Sequence, residues 1–81
     1  MRLDKFLKVS RIIKRRTVAN EACSSSHVTV NSKISKPSTN VDVGDVIELK
    51  FGEKRVKFQV LSVAENVSKD KATEMYKIIS E

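Results

Sequence analysis

The residues best equipped for chemistry in this 81-residue chain are bases, and they gather at one end. Arg2, Lys5, Lys8, Arg11, Lys14, Arg15 and Arg16 fall within the first sixteen residues, against a single acid, Asp4. That stretch carries the whole formal net charge of +6, because Thr17 to Glu81 holds nine bases and nine acids. Guanidinium forks and ammonium groups at this density bind phosphate oxygens, so the chemistry indicated is capture of a polyanion. A charge run is often only a solvated face, but confinement of the excess to one segment favours a binding surface.

Catalysis finds little support. The chain has one histidine, His27, and one cysteine, Cys23, with no Cys/His cluster at metal-ligand spacing. Its two glycines, Gly44 and Gly52, are too few for a phosphate-cradling loop. Cys23 lies on an apolar helix face and reads as core rather than nucleophile. With no partner for an internal disulfide, it also suits a reducing cytoplasm. His27 alternates outward with Thr29 on a short strand, where it either touches a ligand or is an ordinary exposed residue. No enzyme activity, cofactor or metal is expected.

These bases have to be positioned by a small body. The length predicts one domain near the lower limit for a useful core. Leu3, Phe6 and Leu7 recur at i, i+3 and i+4, which predicts a helix from Arg2 to about Val9 with its apolar stripe on the body. Arg2 and Lys5 then share another face, and Asp4 is spaced for an i, i+4 pair with Lys8. Ser10 breaks the helix, and Arg11 to Lys14 connects, anchored by Ile12 and Ile13. A second helix is predicted from Arg16 to Ser24, with Val18, Ala19, Ala22 and Cys23 as a face of mostly small side chains. Its start, beside Arg15 and Arg16, offers unpaired backbone N–H groups to an anion.

The remainder reads as sheet. His27 to Asn31 alternates with Val28 and Val30 inward, and Asn31-Ser32 makes a tight turn into a return strand at Ile34. Gly44 is expected at positive φ in the turn before a strand from Val46 to Phe51, with Ile47, Leu49 and Phe51 on one face. A second turn leads into Arg55 to Leu61, where Val56, Phe58 and Val60 alternate with polar residues, as in an antiparallel sheet with one wet face. Asp42, Asp45 and Glu48 read as solubilising charges. In the tail, Ser68 caps a short helix containing Ala72, Met75 and Tyr76, or Tyr76 to Ile79 forms a final strand; both remain open.

Phe6, Phe51, Phe58 and Tyr76 all fall on core-facing positions, leaving no stacking platform for unpaired bases. The expected ligand is therefore a folded RNA read by shape and phosphate. The longest apolar runs, Ile12-Ile13 and Val46-Ile47, are far below the roughly 20 residues of a membrane span. A membrane-surface helix is disfavoured because Leu3, Phe6 and Leu7 are needed to dock the first helix.

Read together, RLDKFL (Arg2 to Leu7), KRRTVANEA (Lys14 to Ala22), HVTVN (His27 to Asn31), KPS (Lys36 to Ser38) and VDVGDVIEL (Val41 to Leu49) resemble the S-four RNA-binding domain. That family includes the fourth small-subunit ribosomal protein and the heat-shock protein fifteen group. The resemblance covers Arg2 to about Phe51. It implies an α+β fold, with two N-terminal helices packed on a small bent antiparallel sheet and a short C-terminal helix or strand. Residues 1–81 would form one such domain, with 52–81 as hairpin and C-terminal extension. KVSRIIKRRTVANEA, the FGEKRVKFQV hairpin and the MYKIIS tail are most similar to the family's free-standing bacterial ribosome-quality-control factors. This implies a cytoplasmic monomer that binds large-subunit rRNA and peptidyl-tRNA on obstructed subunits, with RqcH as a partner in C-terminal alanine tailing. The family's basic positions fall on Arg2 and Arg16, with Lys5, Lys14 and Arg15 in support; His27 joins them from its own outward position. Two departures stand out: Ser26 and Ser32 replace glycines, and Arg15 replaces a capping Ser or Thr.

Overall fold

A computed structural model describes residues 1–80; Glu81 and the side chain of Phe51, expected in the core, lie outside the described residues. Two helices, α1 (Leu3–Val9) and α2 (Arg16–Ser24), precede three strands, β1 (Val28–Val30), β2 (Lys33–Ile34) and β3 (Val46–Phe51). The chain continues through β4 (Lys54–Val60), α3 (Lys69–Ala72), a 3-10 turn (Thr73–Met75) and β5 (Tyr76–Ser80). The strands form one antiparallel sheet in the order β2-β1-β3-β4-β5. The fold is the expected α+β arrangement of helices on a small antiparallel sheet.

Alternation decides what the sheet buries. Val28, Ile47, Leu49, Phe58 and Val60 turn to the helices and pack with Leu3, Phe6, Leu7, Ala19 and Cys23 in one core. Leu3, Phe6 and Leu7 are fully buried, so the i, i+3, i+4 stripe does fasten α1 to the body. On α2 the buried face is narrower than expected. Ala19 and Cys23 are inside, but Val18 is 47% exposed because the helix turns its Ala19–Cys23 edge to α1. Close approach of α1 and α2 needs that small-residue edge. The tail resolves into both expected elements: Ala72 and Met75 are buried in helix and turn, while Tyr76 enters β5 and meets Phe58 edge-on, with ring centroids 5.3 Å apart. Ser68 occupies the cap position of α3 without a side-chain cap bond.

Several boundaries shift by one residue. Arg2 is the extended residue before α1, and His27 precedes β1. The start of α1 is closed by a distant loop: Leu3 N–H donates to the Thr39 carbonyl (2.7 Å) and Asp4 N–H to that of Pro37 (3.2 Å). Asp45 does more than solubilise. Its carboxylate accepts from Asn31 Nδ2 (3.2 Å) and Asp42 N–H (2.9 Å), tying the 42–45 turn to the β1–β2 hairpin.

The two serines that stand in glycine positions adopt glycine conformations. Ser26 has φ 61° and ends α2, with His27 N–H bonded to the Ala22 carbonyl (3.0 Å) and Ser26 N–H to that of Cys23 (3.3 Å). This is the Schellman closure, which favours glycine at that site. Asn31 (φ 52°) and Ser32 (φ 69°) form the two-residue turn between β1 and β2, where asparagine is tolerated and serine is strained. Ser26→Gly and Ser32→Gly should each stabilise the fold by roughly 0.5–1 kcal/mol, the left-handed strain less glycine's larger unfolded-state entropy. A higher urea midpoint at unchanged m-value is the expected reading; an unchanged or lower midpoint contradicts it.

Candidate nucleic-acid interface

The helix face is organised by one buried acid. Asp4 is 2% exposed, although it lies in the first turn of a surface helix. Oδ1 accepts from Arg2 Nε (3.1 Å) and from Lys5 N–H (2.8 Å). Oδ2 accepts from Arg2 Nη2 (3.2 Å) and Asn20 Nδ2 (3.4 Å), and lies 3.6 Å from Arg16 Nε. The expected pair with Lys8 does not form, because the carboxylate turns inward toward α2 and is saturated there. Burial pushes the Asp4 carboxyl up, but the Arg2, Asn20 and Lys5 hydrogen bonds and the Arg16 charge outweigh it and hold the group below its ordinary 3.8.

The consequence is geometric. A single carboxylate holds the inner edges of two guanidiniums, one from each helix, while about half of each side chain stays exposed (52% for Arg2, 49% for Arg16). One acid against two bases leaves a net positive charge. Two half-exposed guanidiniums are thus held at one carboxylate, an arrangement suited to a phosphate. Immediately beside them is the open end of α2. Arg15 has extended backbone and supplies no side-chain cap, and the first helical N–H to find a backbone acceptor is that of Ala19, on the Arg15 carbonyl (3.0 Å). Among the described residues, the N–H groups of Arg16, Thr17 and Val18 have no acceptor. Unpaired donors at the positive end of a helix dipole suit an anion.

The other expected site residues are dispersed. Lys5 is half-buried and reaches Glu65 (Nζ to Oε1, 3.2 Å), which diverts its charge from Arg2. Lys14 and Arg15 are exposed on the connector leading to α2 and extend the basic face. His27 is exposed but lies beyond the far end of α2, beside an apolar groove containing Ile12, Val18 and Leu49. Nine residues of helix, about 13 Å at 1.5 Å per residue, separate it from the Arg2–Arg16 pair. The family resemblance pointed to Arg2 and Arg16, and spacing along the chain missed Asp4 and Asn20, which the structure sets beside them. A lone acid among seven bases was the available signal. Lys8 and Arg11 were also passed over; they line a notch with Lys14 and Glu65, and Arg11 ends α1 at φ 63°. Cys23 is buried as expected, and burial and the Asp4 charge raise its thiol to about 11, far from thiolate chemistry at neutral pH.

Because the Asp4 carboxyl titrates lower in the folded state, its contribution is full above the unfolded value of 3.8 and is lost as pH falls through the lower folded value. Asp4→Asn should cost about 1–3 kcal/mol at neutral pH. It should also flatten the loss of stability below about pH 4, as followed by urea midpoints from pH 7 to 2. An Asn variant with the parent's acid profile would show that Asp4 is not the linked group.

The chain is similar to known proteins over its whole length. The S4 domain family matches residues 1–47. An RQC P-site tRNA stabilizing factor of Listeria monocytogenes is 52% identical over 81 residues, covering 100% of this chain and 88% of the relative. Among solved structures, heat shock protein 15 of Vibrio cholerae superposes with a TM-score of 0.88 at 26% identity, covering 99% of this chain and 82% of that one. The solution structure of HP1423 superposes with a TM-score of 0.82 at 28% identity, over 100% and 99% of the two chains.

Proposed function

This chain belongs to the S4 domain family and, within it, to the RQC P-site tRNA stabilizing factors, and from that premise we propose that it acts in RqcP fashion on obstructed large ribosomal subunits. In this reading it is a cytoplasmic RNA-binding adaptor, monomeric off the ribosome, that contacts large-subunit rRNA and peptidyl-tRNA. By steadying the tRNA it supports RqcH-dependent C-terminal alanine tailing of the stalled chain. It works by binding rather than catalysis and forms one domain over residues 1–81. Among the described residues, no helix is long and apolar enough to cross a membrane.

The observation that carries the reading is the pair of guanidiniums fixed by Asp4 beside the open start of α2. RNA offers a regular row of phosphates along each strand, so two ordered cations and a row of backbone donors can hold phosphates without reading bases. Arg2 and Arg16 are the principal contacts proposed, with Lys14 and Arg15 extending them. Lys5 and His27 remain in the proposed set at its margins. Arg16→Ala should weaken association with obstructed large subunits and reduce the salt slope by roughly 0.7–0.9 for each phosphate that Arg16 would neutralise. Co-sedimentation over a salt series measures both, and unchanged association in the variant removes Arg16 from the site.

The structural likeness to heat shock protein 15 favours a second reading, in which the chain rescues blocked large subunits without tailing. Deletion of the gene separates the two. Loss of alanine tails from stalled chains is expected on the first reading, and unchanged tailing with accumulated blocked subunits on the second.

A further inference from the structure

The same alternation that turns Ile47 and Leu49 toward the helices turns Glu48 and Lys50 to the opposite side of the sheet. On β4 the outward residues are Arg55, Lys57 and Gln59, and the β4–β5 register sets Lys77 beside Gln59 on that same side. Four bases and one acid therefore share the outer face, although Thr17 to Glu81 is neutral as a segment. The other described acids of that segment lie off these strand positions, Glu21 on α2, Asp42 and Asp45 in the 42–45 turn, Glu53 in the β3–β4 turn, Glu65 in the loop before α3, and Asp70 and Glu74 in the C-terminal helical segment, so folding separates charges that cancel along the chain.

Cross-strand register brings like charges together. Lys50 is paired directly with Arg55 across β3 and β4. Like charges at directly opposed positions destabilise a sheet, whereas a face meant only for solubility interleaves signs. Glu48 relieves one base, Lys57, with Nζ 3.8 Å from Oε2. Among the described residues, no carboxylate lies within ion-pair distance of Lys50, Arg55 or Lys77.

We infer that this outer face is a second phosphate-binding surface, so that the chain holds two RNA backbones at once, one on the Arg2–Arg16 helix face and one on the back of the sheet. The inference rests on the RNA-binding reading of the helix face and adds a second site to it. A phosphate strand supplies the missing negative charge along the Lys50–Arg55 pair. Among the described residues, the outward side chains here include no aromatic ring, which favours backbone over base stacking. The Gln59 amide adds a neutral donor suited to phosphate or a ribose hydroxyl. The molecule measures 30 × 25 × 19 Å, well beyond the roughly 8 Å over which charges interact through physiological salt, so the two faces act as separate sites.

The test uses the full chain with two 20-base-pair RNA duplexes, one carrying a donor dye and the other an acceptor. The unmodified protein should bring them together and produce energy transfer at equimolar protein, abolished as salt is raised. Lys50→Gln/Arg55→Gln/Lys77→Gln should keep single-duplex affinity to within about threefold, through the helix face, while losing most of the transfer. Lys50→Arg/Arg55→Lys/Lys77→Arg should keep the transfer, which separates charge from side-chain shape. Thermal melts should show the Gln variant folded at a midpoint no lower than the parent's, since it relieves repulsion. Transfer undiminished in the Gln variant overturns the inference, whether the duplexes are joined by one molecule or by paired copies. Equal loss in the charge-preserving variant overturns it as well. Failure of the helix-face reading would be seen separately, as undiminished transfer together with unchanged single-duplex affinity in Arg2→Ala/Arg16→Ala.

Discussion

A single buried carboxylate governs the basic helix face of this protein. Removing Asp4 from water is unfavourable by itself, and it is tolerated because both oxygens are saturated by Arg2, Arg16, Asn20 and the Lys5 N–H. The same bonds join the residue before α1 to the first residue of α2, so electrostatic satisfaction and the positioning of the two helices are one requirement. Without the acid, Arg2 and Arg16 would be two flexible, mutually repelling cations. With it, their inner edges are occupied and their outer edges are aimed at solvent. The rotamer entropy that an RNA complex would otherwise lose is already given up on folding.

That acid is buried only because the rest of the fold presses α1 down over it. Leu3, Phe6 and Leu7 fasten the helix to the sheet, and the carbonyls of Pro37 and Thr39 take up its first N–H groups. Met1 contributes as well, its ammonium donating to Asn40 Oδ1 (2.8 Å) and its carbonyl accepting from Val41 N–H (2.8 Å). The two helix starts thus have opposite fates. The start of α1 is consumed by a loop that arrives from far along the chain. The start of α2 is left open, so the donors free for an anion belong to the second helix and not the first.

Much of this was legible in the sequence, for reasons that differ by element. The bounds of α2 and the course of β3 and β4 follow from periodicity and turn residues, which are local properties. Gly44 takes its expected positive φ of 94°, and Ser26 and Ser32 occupy glycine-like conformations as their replacement of glycines implied. Three readings failed where a distant group intervened. Val18 belongs to the apolar face of α2 by spacing, yet the narrow contact with α1 leaves it outside. Asp4 is ideally spaced for Lys8, yet an inward-facing ring of donors outcompetes an exposed pair worth only a few tenths of a kcal/mol. Asp45 looks like a solubilising charge until Asn31 arrives beside it.

The sequence alone determined which residues could bind a polyanion, how they are spaced along two short helices, and which apolar positions hold those helices down. These depend on residue type and on periods of two and 3.6, which the chain carries locally. Tertiary structure alone decided which cations cooperate. Arg2 and Arg16, far apart along the chain, meet on one carboxylate, while Lys5 is drawn away by Glu65 and His27 is carried to the other end of α2. It likewise decided that a neutral segment displays a basic face, because cross-strand register sets Lys50 against Arg55 and leaves Glu48 as the acid among those outward strand positions. The physical reason is common to both: charges act through space over several ångströms, and distance in space is fixed only when the chain has folded.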